Sequence, residues 1–213
     1  MRLYLSSEGF GNHADRLLEM LGSSKKVLFV SNAKDYMDKV ERAEHIELKR
    51  AEFEQVGLSF EELDLRDYFD EKKKDLGQKL QGIGLLFVSG GNTFILRRAM
   101  QYSGMDDLIV ENMMHDRFVY AGSSAGSIVV GPSLHGTEHG DSPDEVPDHY
   151  KKDVVWTGLR LVEFYIIPHY LSDGWGAESQ MMKEYFDERE LPHVPLMDGQ
   201  VYVVDGTRQE LLT

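Results

Sequence analysis

A chain of 213 residues, 41% hydrophobic and 28% charged, is long enough to bury a full α/β core as one domain over residues 1–213. Its formal charge of −14 repels nucleic-acid phosphates and anionic membrane surfaces, so neither is an expected partner. The absence of cysteine excludes disulfides, thiolate metal sites and a cysteine nucleophile together, and it suits a reducing compartment. The start, MRLYLSSEGFGNH, has no apolar core of a secretory signal, and no window approaches the roughly 20 apolar residues of a membrane span. Cytoplasmic is the default expectation.

Leu3 to Leu5 reads as a first short strand, and Ala14 to Leu21 has helical spacing that Gly22 stops. Val27 to Val30 is an unbroken apolar run, as expected of a strand buried on both faces. A polar helix is expected over Asp35 to Val56, with Met37, Val40, Leu48 and Ala51 inward, and a weak strand over Leu58 to Leu65. Asp70 to Leu80 reads as a charged helix whose lysine triplet is a solvated face. Leu85 to Val88 is a second buried strand, ending in Ser89-Gly90-Gly91-Asn92-Thr93, and two helices follow over Phe94 to Tyr102 and Met105 to His115.

Phe118 to Ala121 is the next strand. Pro132 to Lys152 has no periodicity, and loops of that length are usually functional or disordered. Val162 to Ile167 resumes strand character before Pro168-His169-Tyr170. Ala177 to Glu190 reads as an amphipathic helix with Met181, Met182, Tyr185 and Phe186 on one stripe. Short strands at His193 to Leu196 and Val201 to Val204 flank Asp198-Gly199. Strands alternating with helices, several of them unbroken apolar runs, indicate a doubly wound, mostly parallel sheet with helices on both faces.

Gly122-Ser123-Ser124-Ala125-Gly126 matches G-x-S-x-G, a sharp strand-to-helix turn that lifts the Ser124 hydroxyl above the sheet. A nucleophile there sits in a strained conformation and tolerates only small neighbours, which these are. In an open parallel sheet, ligands bind beyond the carboxyl ends of the strands. Gly90-Gly91-Asn92, Ser124, His169 and Asp198 all fall at such ends. Together they supply the parts for acyl transfer. Ser124 attacks a carbonyl, His169 takes its proton, a carboxylate orients the imidazole, and the backbone N–H groups of Ala125 and Gly91 face the oxyanion.

Gly90-Gly91-Asn92-Thr93-Phe94, the Ser124 turn and Pro168-His169-Tyr170, in this order and spacing, resemble the peptidase E family of serine dipeptidases, relatives of the cyanophycinases with a class I glutamine amidotransferase-like fold. The resemblance covers nearly the whole chain. It implies a serine nucleophile at Ser124, its histidine at His169 and an oxyanion donor at Gly91. The family's carboxyl-terminal Leu-x-Glu-Gly turn falls on Met197-Asp198-Gly199, an aspartate for a glutamate, so Asp198 is the favoured carboxylate; Asp141, in the loop after the elbow, is the other candidate. The resemblance also implies a small peptide substrate, with amino-terminal aspartate as the best-known preference, and no cofactor or metal. The loop after Pro132 lacks an arginine to read an aspartyl carboxylate, so His135 or His139 would take that part at mildly acidic pH, with Asn92 and Asp141 as further substrate contacts. The loop acids, Glu138 and Asp141 through Asp153, favour a free amino terminus.

Other classes stay open on sequence alone. His135-Gly136-Thr137-Glu138-His139 is a formal H-x-x-E-H, the zinc-binding pattern of a metal-dependent hydrolase, which needs a helix that Gly136 and Gly140 oppose. An α/β-hydrolase esterase would recruit Asp141, Asp144 or Asp148 ahead of the histidine. A non-catalytic relative would keep the fold and bind a small acidic or peptide ligand. Glutamine amidotransfer is disfavoured because Ser124 stands where those enzymes have cysteine.

Overall fold

The computed structural model describes residues 1–69 and 73–213. Strands β1 (Arg2–Ser6), β2 (Lys26–Val30), β3 (Ser59–Glu62), β4 (Leu85–Val88) and β5 (Val119–Ser123) are parallel, and β8 (Val201–Asp205) and β9 (Arg208–Leu212) extend the same sheet antiparallel, in the order β3-β2-β4-β5-β1-β8-β9. The unbroken apolar runs have the cause inferred from them. Side chains alternate across a strand, so Val27, Phe29, Leu85 and Phe87 enter one core while Leu28, Val30, Leu86 and Val88 enter the other.

The first core packs against helices α1 (Ala14–Leu21) and α2 (Lys39–Gln55) through Leu17, Ile46 and Phe53. Its centre is aromatic: Phe53 meets Phe87 edge-on at 5.0 Å and Phe29 stacks on Phe87 at 5.7 Å. Such pairs add about 0.5–1.5 kcal/mol each beyond burial. The second core takes α3 (Lys73–Lys79), α4 (Thr93–Ser103), α5 (Met105–Met114), the single turn α6 (Ala125–Ile128) and α7 (Gly176–Glu188). Helices therefore cover both faces of a mostly parallel sheet. No helix among the described residues is long and apolar enough to cross a membrane.

Several expectations need correction. Helix α2 begins later than Asp35 because Asp38 caps it, accepting from the N–H groups of Val40 and Glu41 while Glu41 accepts from Asp38 N–H. Val40 and Leu48 are 66% and 67% exposed, and Ala51 is exposed too. The inward face carries Ile46 and Phe53 with His45, Lys49 and Glu52, because part of it borders a cavity. The strand after it stops at Glu62, where the Asn32 side chain accepts from Leu65 N–H and turns the chain into a 3₁₀ segment. The expected helix start at Asp70 and the lysine face of residues 72–74 fall outside the described residues and side chains. In α7, Met181 is 42% exposed while Met182 and Phe186 are buried.

The largest departure concerns β6 (Tyr165–Ile167) and β7 (His193–Pro195), which pair with each other, parallel, in a separate two-stranded unit. Strand character was expected from Val162. Pro168 and Pro192 flank the pair and Pro195 ends β7, and each lacks a donor that a longer ladder would use. Strand β9 was not anticipated, although Asp205-Gly206 with Gly206 at φ 63° is the turn that makes the β8–β9 hairpin.

The 132–152 segment packs against the body of the domain. The Arg98 guanidinium, wholly buried at the side of α4, donates to the carbonyl groups of Pro143 (2.7 Å), Asp153 (3.1 Å), Lys152 (3.3 Å) and Glu145 (3.5 Å). Tyr150 OH donates to the buried Asp35 carboxylate at 2.5 Å. A long polar loop lies against the body here because one planar fork satisfies several of its carbonyls at once.

Candidate active site

Strand β5 lies between β1 and β4, with Leu5 opposite Gly122 and Phe87 opposite Ala121. From Phe118 to Gly131 every residue is buried except Ser124. Its backbone sits at φ 50°, ψ −111°, outside the regions a serine ordinarily occupies and worth about 1–3 kcal/mol of strain. The turn closes because its neighbours lack side chains: a Cβ on Gly122 or Gly126 would lie 2.3 or 2.2 Å from the backbone oxygen of Gly126 or Val88. Ser123 Oγ faces away and accepts from Gly9 N–H at 2.9 Å.

Ser124 Oγ lies 3.1 Å from His169 Nε2, and His169 Nδ1 lies 2.7 Å from Asp198 Oδ1. The β6–β7 pair sets up the second contact. Ile167 pairs with Pro195, Leu196 N–H donates to Ile167 C=O, and Tyr170 N–H donates to Leu196 C=O, so the segments leaving both strands run side by side. His169 is itself held at φ 56°. Ser7, just past the end of β1, ties the ribbon to the main sheet: its hydroxyl donates to Asp198 Oδ1 at 2.7 Å and accepts from His169 N–H at 2.8 Å. With a carboxylate on Nδ1, the imidazole carries its proton there and offers Nε2 as acceptor to the serine, the tautomer that deprotonation of a hydroxyl requires.

The two candidate carboxylates part company. Asp198 touches His169, whereas Asp141 accepts two hydrogen bonds from Thr93, N–H at 2.9 Å and Oγ1 at 2.5 Å. Burial is the largest influence on Asp141 and raises its carboxyl above the ordinary value, against the lowering effect of Thr93. Asp141 lines a cavity of about 620 Å³ shared with Ser124, His169 and Gly91, a volume suited to a small ligand. Gly91 stands at φ 141° on the strand end beside Ser124, and Ala125 is the first residue of α6. Asn92 also borders the cavity, but its side chain is engaged: Oδ1 caps α4 by accepting from Phe94 and Ile95 N–H, and Nδ2 donates to Ser142 C=O and Glu145 Oε2.

His135 and His139 do not border this cavity. Both are exposed, and the His135 ring lies flat on Trp156 at 4.4 Å. The 135–139 segment is a 3₁₀ turn over Thr137–His139 rather than an α-helix, and Glu138 accepts from Gly136 N–H. Among the described residues no group of three His, Asp or Glu could hold a metal ion. Asp144 and Asp148 make no contact with His169 among the hydrogen bonds of the described residues.

Sequence reasoning missed Ser7, although it follows a strand end as Ser124 does. It also missed Glu178 of α7, whose Oε2 is buried at the cavity wall with no hydrogen-bond partner, and the basic residues His45 and Lys49, one helical turn apart on α2.

The model of peptidase family S51 matches residues 4–212. An uncharacterized peptidase of Pasteurella multocida is 29% identical over 96% of this chain and 94% of its own length. A probable alpha-aspartyl dipeptidase of Drosophila melanogaster is 31% identical over 98% of this chain and 82% of its own. The crystal structure of a candidate peptidase E from Listeria monocytogenes superimposes with a TM-score of 0.80 at 25% identity, over 99% of this chain and 97% of that one.

Proposed function

The chain belongs to peptidase family S51, a family of serine peptidases, and from that membership we propose that it hydrolyses dipeptides and other short peptides with a free amino terminus through an acyl-enzyme on Ser124. The observation that carries this reading is the chain of contacts from Ser124 Oγ through His169 to Asp198, at 3.1 and 2.7 Å. Ser124 Oγ attacks the scissile carbonyl as its proton passes to His169 Nε2. Asp198 holds the imidazole and balances the charge it gains, and Ser7 holds Asp198 and His169 in place. Backbone N–H groups of Gly91 and Ala125 stabilise the tetrahedral oxyanion. His169 then protonates the departing amine, water enters by the same base, and the ester on Ser124 is hydrolysed.

Two features favour short substrates with a free amine. Thr137, Gly140, Asp141, Ser142 and Glu145 of the 132–152 segment form one side of the cavity that holds Ser124, and acidic side chains, Asp141, Glu145 and Glu178, border it where an ammonium group would find a partner. Amino-terminal aspartate is within the proposed substrate range. The test is a fluorophosphonate adduct mapped by mass spectrometry, followed by a dipeptide library in free and amine-acetylated forms. An adduct on Ser124 and turnover of free dipeptides alone is the expected result. No adduct on Ser124, or equal cleavage of acetylated peptides, would overturn the proposal.

A further inference from the structure

The Ser124 cavity continues past the Gly90–Asn92 turn toward the carboxyl end of β2. Along the rim of the sheet, β4 stands between β5 and β2, so this lobe opens two strand spacings of about 4.8 Å from the Ser124 strand. That span is the scale of an extended dipeptide at roughly 3.3–3.6 Å per residue. Phe29, Phe53 and Phe87 contribute to its floor, and Lys34, His45 and Lys49 contribute to its wall.

This wall is electrostatically incomplete. Lys34 is half-buried and makes no ion pair among the described residues. His45 Nε2 is buried and has no hydrogen-bond partner. Lys49 is paired at 2.8 Å with Glu52, and Glu8 lies nearby, but both carboxylates are exposed, where water weakens their attraction. Burial first, and then the positive charges of Lys34, Lys49 and Arg42, push His45 down to about 4, so it is a neutral ring with an N–H to donate at pH 7. Burial and Lys49 likewise lower Lys34. A protein of net charge −14 has thus gathered two cations and a neutral ring at one half-buried wall, with Glu8 and Glu52 at its exposed edge. Their mutual repulsion and the lone Nε2 are relieved together by one anion.

We infer that Lys34, His45 and Lys49 form a carboxylate-binding subsite of the Ser124 cavity that holds an acidic group of the peptide. The inference rests on the reading that peptides occupy this cavity. It assigns to the β2–α2 side of the site the part that the sequence offered to His135 and His139. The carboxylate comes from the side chain of the first residue, the side chain of the second, or the peptide's own carboxyl terminus, and the substrate set separates these sources.

The test measures binding to Ser124→Ala protein by calorimetry, so that turnover does not enter. Asp-Leu is compared with Asn-Leu, Leu-Asp with Leu-Asn, and Leu-Leu with Leu-Leu amide. One acid-to-amide change is expected to weaken binding about tenfold or more, the worth of a charge-assisted hydrogen bond. Lys34→Met and Lys49→Met, each on that background, should bring this ratio close to one, while Lys34→Arg, which keeps the charge, should retain it. Peptides that bind with no difference between acid and amide, or a ratio that survives both methionine variants, would overturn the subsite and leave the peptidase reading intact. Failure of every peptide to bind, with no fluorophosphonate adduct on Ser124 of the parent protein, would overturn the peptidase reading and the subsite with it.

Discussion

Thr93 donates both its backbone N–H and its hydroxyl to one carboxylate oxygen of Asp141, and so fixes a half-buried acid at the start of α4 beside the Ser124 cavity. That carboxylate is available to a ligand's ammonium group rather than to His169. Because burial raises the Asp141 carboxyl above its ordinary 3.8, the native state holds this proton more tightly than the unfolded chain. Its favourable contribution is present in full below 3.8 and is lost as pH rises through the higher folded-state value. Asp141→Asn keeps an oxygen for Thr93 and never ionises. Thermal melts should therefore show the variant more stable than the parent at pH 7, with the gain gone below pH 3.8, and its KM should rise while kcat changes little. A lower Tm at pH 7 would mean that the charged form is favoured by the fold.

Asp64 runs the other way. Burial works to raise it, but hydrogen bonds from Arg66 and Asn32 outweigh burial and hold it at about 2. Its contribution is present above its ordinary 3.8 and lost as pH falls through about 2. Asp64→Asn should lower Tm at pH 7, with the difference from the parent closing as the pH approaches 2.

Ser124→Ala and His169→Ala should each reduce turnover by several orders of magnitude, and the double variant should be hardly worse than either, since the two act on one proton. Single-turnover kinetics check this, and additive losses would separate the residues. Ser123→Ala, whose hydroxyl is held by Gly9, should be mild.

Asp198→Asn is expected to favour the wrong imidazole tautomer and lower kcat by about 10³ to 10⁴ with little change in KM. Ser7→Ala should act on the same parameter more weakly. It removes one hydrogen bond to Asp198 and the acceptor for His169 N–H, about 1 kcal/mol for each neutral bond and somewhat more for the bond to the carboxylate. A change confined to KM in either variant would take it out of the positioning of His169.

Arg98→Met leaves carbonyl groups of the 143–153 segment without their donor, and a loss of about 1–3 kcal/mol is expected in urea unfolding. Arg98→Lys should not restore it, because one ammonium cannot reproduce the planar fork. Limited proteolysis would show cleavage between residues 143 and 153 appearing in both variants.

The legible part of this protein lies where local sequence and tertiary environment agree. The strands at Val27, Leu85 and Val119 are apolar on both faces because both faces are buried, and small residues around Ser124 are required by a turn whose neighbours approach within van der Waals contact. The family resemblance on Gly90–Phe94, Ser124 and Pro168–Tyr170 matches the family to which the chain belongs. The order of strand ends also brought Ser124, His169 and Asp198 under consideration together.

What sequence could not supply was partnership across long separations. That β6 and β7 leave the main sheet and form their own pair depends on where Pro192 and Pro195 fall in the folded chain, and this pair brings His169 to Asp198, 29 positions on. Ser7 meets the same two residues from more than 160 positions away. The inward face of α2 was misread because a helix beside a cavity need not bury aliphatics there; its exposed Val40 and Leu48 and inward His45 and Lys49 follow no amphipathic rule. Composition and spacing specify which residues are apolar, small or acidic, through short-range sterics and solvation. Which carboxylate meets which imidazole is set by the packing of distant segments, and that was decided only by the tertiary structure.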